Sequence, residues 1–386
     1  MTTIKNDAWS RFAQEHGPDF ATVEYISSLV TAPEAIAGTI GHSLMNATDP
    51  RVHEAIGLPR IRVFGPSQLD YEASEAVVHS KYDGSNLVEW LQAVTGRKDV
   101  CAAFNGVETW SSKIRSTIYR SIVEPMVTAC GVPPRGLDFY SFIAVSGFTP
   151  FGIHSDPEPS FIFHLGPSTK TVWVWENDTL PKLPDNREIS LHTDKYLKSA
   201  DHEFTLSPGD FLCIPAGRFH LFRNNGPAVF LGMSYYREDN HDELLQAIST
   251  LVRRSENQQD LANTALVAAS NGEIHRELDR RQSQRLSRGH LGPYRILPVE
   301  LFNVDLPAEC LDVPFAVNNN QISVMGQSIS VPESISDEDI SRFFQPGKVL
   351  RAVDLQKLTD NPSEGNALFI ALLRVGATFQ TTEAGS

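Results

Sequence analysis

Through the first 130 residues, apolar positions recur mostly at helical spacing. Leu87, Trp90, Leu91 and Val94 follow one another at three- and four-residue steps, with Ser85 placed as an N-cap and Gly96 placed to end the segment. Trp110, Ile114, Ile118 and Ile122 form a second stripe that the pattern closes before Pro125. Both stripes read as core faces without chemistry. From about residue 137 the period changes. "LDFYSFIAVSG", "SFIFHLG", "KTVWVWE", "HEFTLSPGDFLCIPAG", "FHLFRNNG" and "AVFLGMSYY" are short apolar runs, each closed by turn residues, and they predict a series of strands. "SPGD" and "NNG" turn for a physical reason, since proline presets φ while Asn and Gly tolerate positive φ. So many strands in one stretch predict a mainly β core of the sandwich or small-barrel kind.

After Arg237 the helical period returns. Leu244, Leu245, Ile248, Leu251 and Val252 make one amphipathic stripe, and a polar helix-prone run continues to about Gly289. Gly292 and Pro293 mark a boundary. Beyond it come a strand pair around "QISVMGQSISVP", a helix opened by Ser336 with Asp339 three residues on, and the apolar run "ALFIALLRVGATF", together a small α+β module. The pattern thus predicts three units: 1–238 with its β core at about 137–238, a helical region 239–292, and the module 293–386.

Composition narrows the picture modestly. At 386 residues, 41% hydrophobic and 21% charged, the chain is that of an ordinary globular protein of two or three folding units. No apolar run reaches the length of about 18 residues that a membrane helix needs. The N-terminal stretch lacks the basic-then-apolar order of a secretory signal, so a cytoplasmic protein is expected. Cys101, Cys130, Cys213 and Cys310 are scattered and read as core thiols in a reducing compartment. A net charge of −14 disfavours nucleic acid and suits a basic peptide or protein. Arg276, Arg280, Arg281, Arg285 and Arg288 in "HRELDRRQSQRLSRGH" read as a solvated helix face.

The chemistry begins at "FGIHSDPEPSFIFHL". His154 and Asp156 stand at the lip of a strand, and His220 begins a later one. Two neutral imidazoles and one carboxylate on one face of a metal leave three octahedral positions open, the donor set of non-haem Fe(II) oxygenases. A second His-x-Asp pair, His192 and Asp194 in "LHTDKYL", stands too close to His220 for the four to five strands required between ligands, and its flanks are polar; it reads as a loop pair. Lys170 opens an apolar strand, where a buried ammonium needs an anion.

"PGDFLCIPAGRFH" closely resembles the approach to the distal iron histidine in Jumonji-C and related cupin-like 2-oxoglutarate oxygenases. That resemblance implies a double-stranded β-helix (jelly-roll) core in which His154, Asp156 and His220 bind Fe(II). It also implies that Lys170 pairs with the distal carboxylate of 2-oxoglutarate, and that Thr149, Tyr140 or Ser146 supplies an assisting hydroxyl. Where some relatives carry an asparagine after the aspartate, this chain has "PEPS", leaving Ser160; the aromatic pair before the distal histidine is Arg218 and Phe219 here. The order of catalytic barrel, helical region and winged-helix-like end resembles the ribosomal oxygenase branch. The likeness implies O2-dependent hydroxylation of a peptide or protein side chain, of a ribosomal protein among others, with 242–270 as a homodimer surface. N-demethylation shares the first step. A cupin-like lyase or isomerase without 2-oxoglutarate, and a non-enzymatic metal-binding regulator, remain open.

Overall fold

The computed structural model describes residues 8–16, 20–65, 68–133, 135–149, 151–176, 194–236, 240–254, 267, 270–318 and 320–380. Helices α1 (Ala8–His16), α2 (Pro33–Ala47), α3 (Pro50–Ile56), α4 (Tyr71–His79), α5 (Leu87–Thr95), α6 (Ser112–Ile118) and α7 (Glu124–Cys130) occupy the N-terminal third. Interleaved with them are β1 (Glu24–Ile26), β2 (Ile61–Phe64), β3 (Leu69–Asp70) and β4 (Cys101–Asn105), strands that the helical pattern concealed. Runs as short as "IRVF" and "CAAFN" become strands only because β5 (Leu137–Ala144) offers an edge to pair with: Ala103 lies opposite Phe142, and Arg62 opposite Ala103.

Two details of the helical reading change. The cap of α5 is Asn86, one residue beyond Ser85, because its Oδ1 reaches both the Val88 and Glu89 amides, at 3.0 and 3.2 Å. The Trp110–Ile122 stripe does not stop before Pro125. Helix α6 runs through a π-turn at Tyr119–Val123 into α7, and the wider turn sets Pro125 in the first turn of α7, where no amide donor is needed.

The strands from residue 137 onward complete the β core. They are β5, β6 (Gly147–Phe148), β7 (Ser160–Pro167), β8 (Lys170–Trp175), β9 (His202–Leu206), β10 (Phe211–Ile214), β11 (Phe219–Asn224) and β12 (Ala228–Tyr235). An eight-stranded antiparallel sheet has the order β1-β10-β7-β12-β5-β4-β2-β3, and a four-stranded one the order β6-β11-β8-β9. Facing side chains of both sheets share one core: Phe142, Ile162, Leu212 and Phe230 from the larger meet Val172, Val174 and Phe222 from the smaller. The other face of the large sheet packs on the N-terminal helices through Phe139, Phe161, Phe163 and Leu231. Burial on both faces explains why "FIFHL" is a continuous apolar run rather than an alternating one.

Helix Asn240–Arg254 and helix Glu273–Ser287 pack against each other. In the first, Ala247 is buried whereas Leu244 and Leu245 are exposed. The last stretch has its own core of Ile322, Val324, Leu350, Phe369 and Leu372, built on two three-stranded sheets and helices that include Asp337–Phe343 and Pro362–Arg374. Ser336 caps the former as expected, its Oγ accepting from the Asp339 amide at 3.1 Å. Asp194 opens the short helix α8 (Asp194–Leu197) and His192 lies outside the described residues. No helix among the described residues is long and apolar enough to cross a membrane.

Candidate metal centre

Two chain segments meet at the candidate metal centre, one bearing His154 and Asp156 and the other His220. His154 and His220 exchange backbone hydrogen bonds, with His220 N–H donating to the His154 carbonyl at 2.8 Å and His154 N–H returning one at 3.2 Å. Their rings lie 4.3 Å apart. In each, Nδ1 faces a main-chain carbonyl at 3.0 Å, that of Gly152 for His154 and that of Arg218 for His220. Donation from Nδ1–H fixes the tautomer and leaves both Nε2 lone pairs free.

Asp156 completes the group. Its Oδ2 lies 3.6 Å from His220 Nε2 and accepts from the Ser160 hydroxyl at 3.0 Å, while its carbonyl takes the Gly217 amide at 2.7 Å. One ligand atom from each of His154, Asp156 and His220 falls within 4.8 Å of the others. His220 is buried, and desolvation together with His154 pulls its imidazole down to about 4, so the neutral, ligating form is the resident one. Two nitrogen donors and one oxygen donor on a single face suit a divalent first-row metal.

Lys170 lies within the sandwich. Antiparallel pairing of β8 with β11 sets it opposite Asn224, and the two-residue period of β11 puts His220, Phe222 and Asn224 on one face. Lys170 is fully buried; its Nζ donates to Asn224 Oδ1 at 2.6 Å and stands 4.2 Å above the Phe230 ring. Among the described residues no carboxylate pairs with it. Desolvation lowers its ammonium to about 7, with Cys101 acting weakly the other way. A cation held so, by an amide oxygen and an aromatic face, lacks the counter-charge that would stabilise it.

A cavity of about 220 Å³ opens beside His154 and Asp156, lined among others by Arg62, Tyr140, Thr149 and Phe230. Phe222 and Phe230, over which Lys170 stands, form part of its wall. Of the hydroxyl candidates, Tyr140 and Thr149 line the cavity, and Ser146 is exposed. The Tyr140 ring fits because its register partner on β12 is Gly232: a Cβ there would lie 2.1 Å from the ring. Burial, then Asp156, push the Tyr140 hydroxyl up and keep it protonated as a donor. Ser160 is occupied with Asp156 rather than facing the cavity as a free hydroxyl. Asn224 was missed by sequence reasoning. The signal available was "FRNNG", in which an asparagine continues the inward-facing positions of its strand.

No protein-family model matches the sequence, and no curated protein is similar to it at the sequence level. Solved structures do resemble it. YcfD from Escherichia coli superposes with a TM-score of 0.53 at 14% identity, covering 99% of both chains. The E. coli ribosomal oxygenase YcfD with cobalt and succinic acid gives 0.51 at 15% identity, and that with cobalt and 2-oxoglutarate 0.51 at 14%, each covering 97% of this chain and 98% of the other. At such identity the likeness is one of fold. It extends over nearly the whole chain.

Proposed function

We propose that this protein is an Fe(II)- and 2-oxoglutarate-dependent oxygenase that hydroxylates a side chain of a peptide or protein. The observation that carries this reading is the pairing of a two-histidine, one-carboxylate cluster with a buried lysine that has no carboxylate partner among the described residues: His154 and Asp156 line one cavity, and so do Phe222 and Phe230, the rings over which the lysine stands. A lone metal site would not call for such a cation. A dicarboxylate would supply the missing charge.

His154, Asp156 and His220 would hold the iron, which when bound supplies the activation of O2 that inserts oxygen into a C–H bond as 2-oxoglutarate is decarboxylated to succinate. Lys170, braced by Asn224, pairs with the distal carboxylate and fixes the co-substrate's orientation. Tyr140 offers a hydroxyl donor from the wall, and Thr149, whose hydroxyl donates to the Phe222 carbonyl at 3.4 Å, stands beside it. Phe142, Phe222 and Phe230 exclude water, which strengthens every charge interaction within. Ser160 holds Asp156 in its ligating pose.

The two facing sheets support a double-stranded β-helix as the catalytic core of a unit spanning 1–238. Helices Asn240–Arg254 and Glu273–Ser287 then belong to a helical unit at 239–292; of the expected dimer surface at 242–270, residues 255–266 lie outside the described residues, and the exposed Leu244 and Leu245 serve self-association, with 293–386 a winged-helix-like module. The fold shared with proteins called ribosomal oxygenases makes a ribosomal protein the preferred substrate and the cytoplasm the expected compartment.

The deciding experiment is anaerobic addition of Fe(II) and then 2-oxoglutarate, following the visible charge-transfer band of the chelate. A band in wild type that is lost in His154→Ala, and that needs at least tenfold more 2-oxoglutarate in Lys170→Met, supports the reading. Iron binding without a band would move the protein to the metal-dependent lyases and isomerases, in which Lys170→Met should be nearly silent.

A further inference from the structure

A second cation, Arg62 on β2, lines the cavity at the metal centre. Its guanidinium carbon stands 5.7 Å from the Phe64 ring and 5.8 Å from the Phe151 ring, two aromatic contacts that hold it in place. Among the described residues its side-chain acceptor is Asn105 Oδ1, at 3.4 Å from Nη2, which is long for a hydrogen bond. Its Nε is buried with no hydrogen-bond partner, and no carboxylate among the described residues pairs with it. Burial and then Arg60 lower the guanidinium from its ordinary value, the opposite of what an anionic neighbour would do. Asn105 lines the same cavity and adds its amide N–H donors to that wall. Lys170 belongs to the other end of a row of rings: it stands over Phe230, which stacks on Phe142 at 4.8 Å, and Phe142 meets Phe151 edge-on at 5.8 Å.

We propose that Arg62, with Asn105, selects the substrate: the side chain presented to the metal centre ends in a carboxylate or a carboxamide, whose oxygen takes the guanidinium donors. This rests on the oxygenase reading above, in which the co-substrate spans from the metal to Lys170 and leaves the Arg62 end of the cavity to what arrives from outside. A planar guanidinium fork matches the oxygen of either group. Discrimination is strongest at such a donor, because an apolar side chain of the same size leaves it unpaired, and a cationic one meets a like charge. Asp138 lines the cavity too, with a carboxyl that burial raises, and it decides between the two candidates: ionised, it repels a carboxylate and accepts from the N–H groups of a carboxamide.

Calorimetric titration of capped tripeptides with asparagine, aspartate, leucine or lysine at the centre, into full-length protein loaded with Co(II) and 2-oxoglutarate, tests it. The asparagine or the aspartate peptide should bind at least about tenfold tighter than the leucine and lysine peptides, and Arg62→Gln should abolish that preference while binding 2-oxoglutarate within about twofold of wild type. Arg62→Lys, which keeps the charge and loses the fork, should retain part of the preference and carries the test if Arg62→Gln does not fold. A tighter asparagine peptide identifies a carboxamide, a tighter aspartate peptide a carboxylate. The proposal is overturned if the leucine or lysine peptide binds as tightly as both, if none binds at millimolar concentration, if Arg62→Gln keeps the preference with unaltered circular dichroism, or if it weakens 2-oxoglutarate about tenfold and so makes Arg62 a co-substrate residue. Should wild type fail to form the iron chelate band, the oxygenase reading fails by itself, and the same titrations on metal-free protein still decide on Arg62.

Discussion

Lys170 and Asn224 are register partners on β8 and β11, and the lysine ammonium donates to the amide oxygen at 2.6 Å inside the sandwich. The amide oxygen accepts one hydrogen bond from the ammonium and supplies no counter-charge, so the site is electrostatically open. Asn224→Asp should close it. A carboxylate at that distance would pair with Lys170 and compete with a dicarboxylate co-substrate, raising the KM for 2-oxoglutarate about tenfold or more with a smaller effect on kcat. Succinate formation at graded 2-oxoglutarate reads this out; an unchanged KM would remove Lys170 from co-substrate binding.

The depressed ammonium of Lys170 has a consequence for pH. Folded, it titrates near 7; unfolded, near the ordinary 10.5. Between those values the unfolded chain holds the extra proton, so this group makes stability rise with pH from about 7 to about 10.5, and its penalty is fully present below about 7. Lys170→Met keeps the volume and deletes the charge. Denaturant unfolding of metal-free protein at pH 7 and pH 9 should show wild type gaining on the variant as pH rises, with the variant the more stable of the two at pH 7.

Ser160 touches the metal cluster only through Asp156, to whose Oδ2 it donates at 3.0 Å. Ser160→Ala should leave the fold intact, loosen the carboxylate, and weaken Fe(II) or Co(II) affinity about tenfold while the 2-oxoglutarate KM at saturating metal stays near wild type. Equilibrium metal titration separates this from a loss of folding.

Gly232 gives the Tyr140 ring its place. A methyl group there would overlap the ring, at 2.1 Å from the nearest carbon, so Gly232→Ala must drive Tyr140 into the cavity or bend β12 away. We expect a loss of about 1–3 kcal/mol in thermal or denaturant unfolding, as for other overpacked cores, and a fall in activity. Gly232→Ala combined with Tyr140→Ala should recover part of the stability and none of the Tyr140 function.

Much of the site was legible as residue types in a pattern. His154, Asp156, His220 and Lys170 stood out because charged and imidazole groups interrupt apolar strands, where burial would otherwise penalise them. The cap at Asn86 and the π-turn before Pro125 were displaced by local backbone geometry that one-dimensional spacing does not carry. Strands β2 and β4 were invisible for a different reason: four or five apolar residues take a strand conformation only when a partner edge is present, and β5 supplies it to β4 from more than thirty residues further along the chain, as β4 in turn does to β2.

The sequence by itself determined the short apolar runs that make the β core, the turns that break it, and the chemical identity of the donor set. Tertiary structure alone decided what faces what. The β8–β11 register put Asn224 against Lys170, and the absence of a side chain at Gly232 made room for Tyr140. Each of these joins residues distant in the chain, and the energies that join them, close packing and desolvation of charge, exist only once water has been excluded from between them.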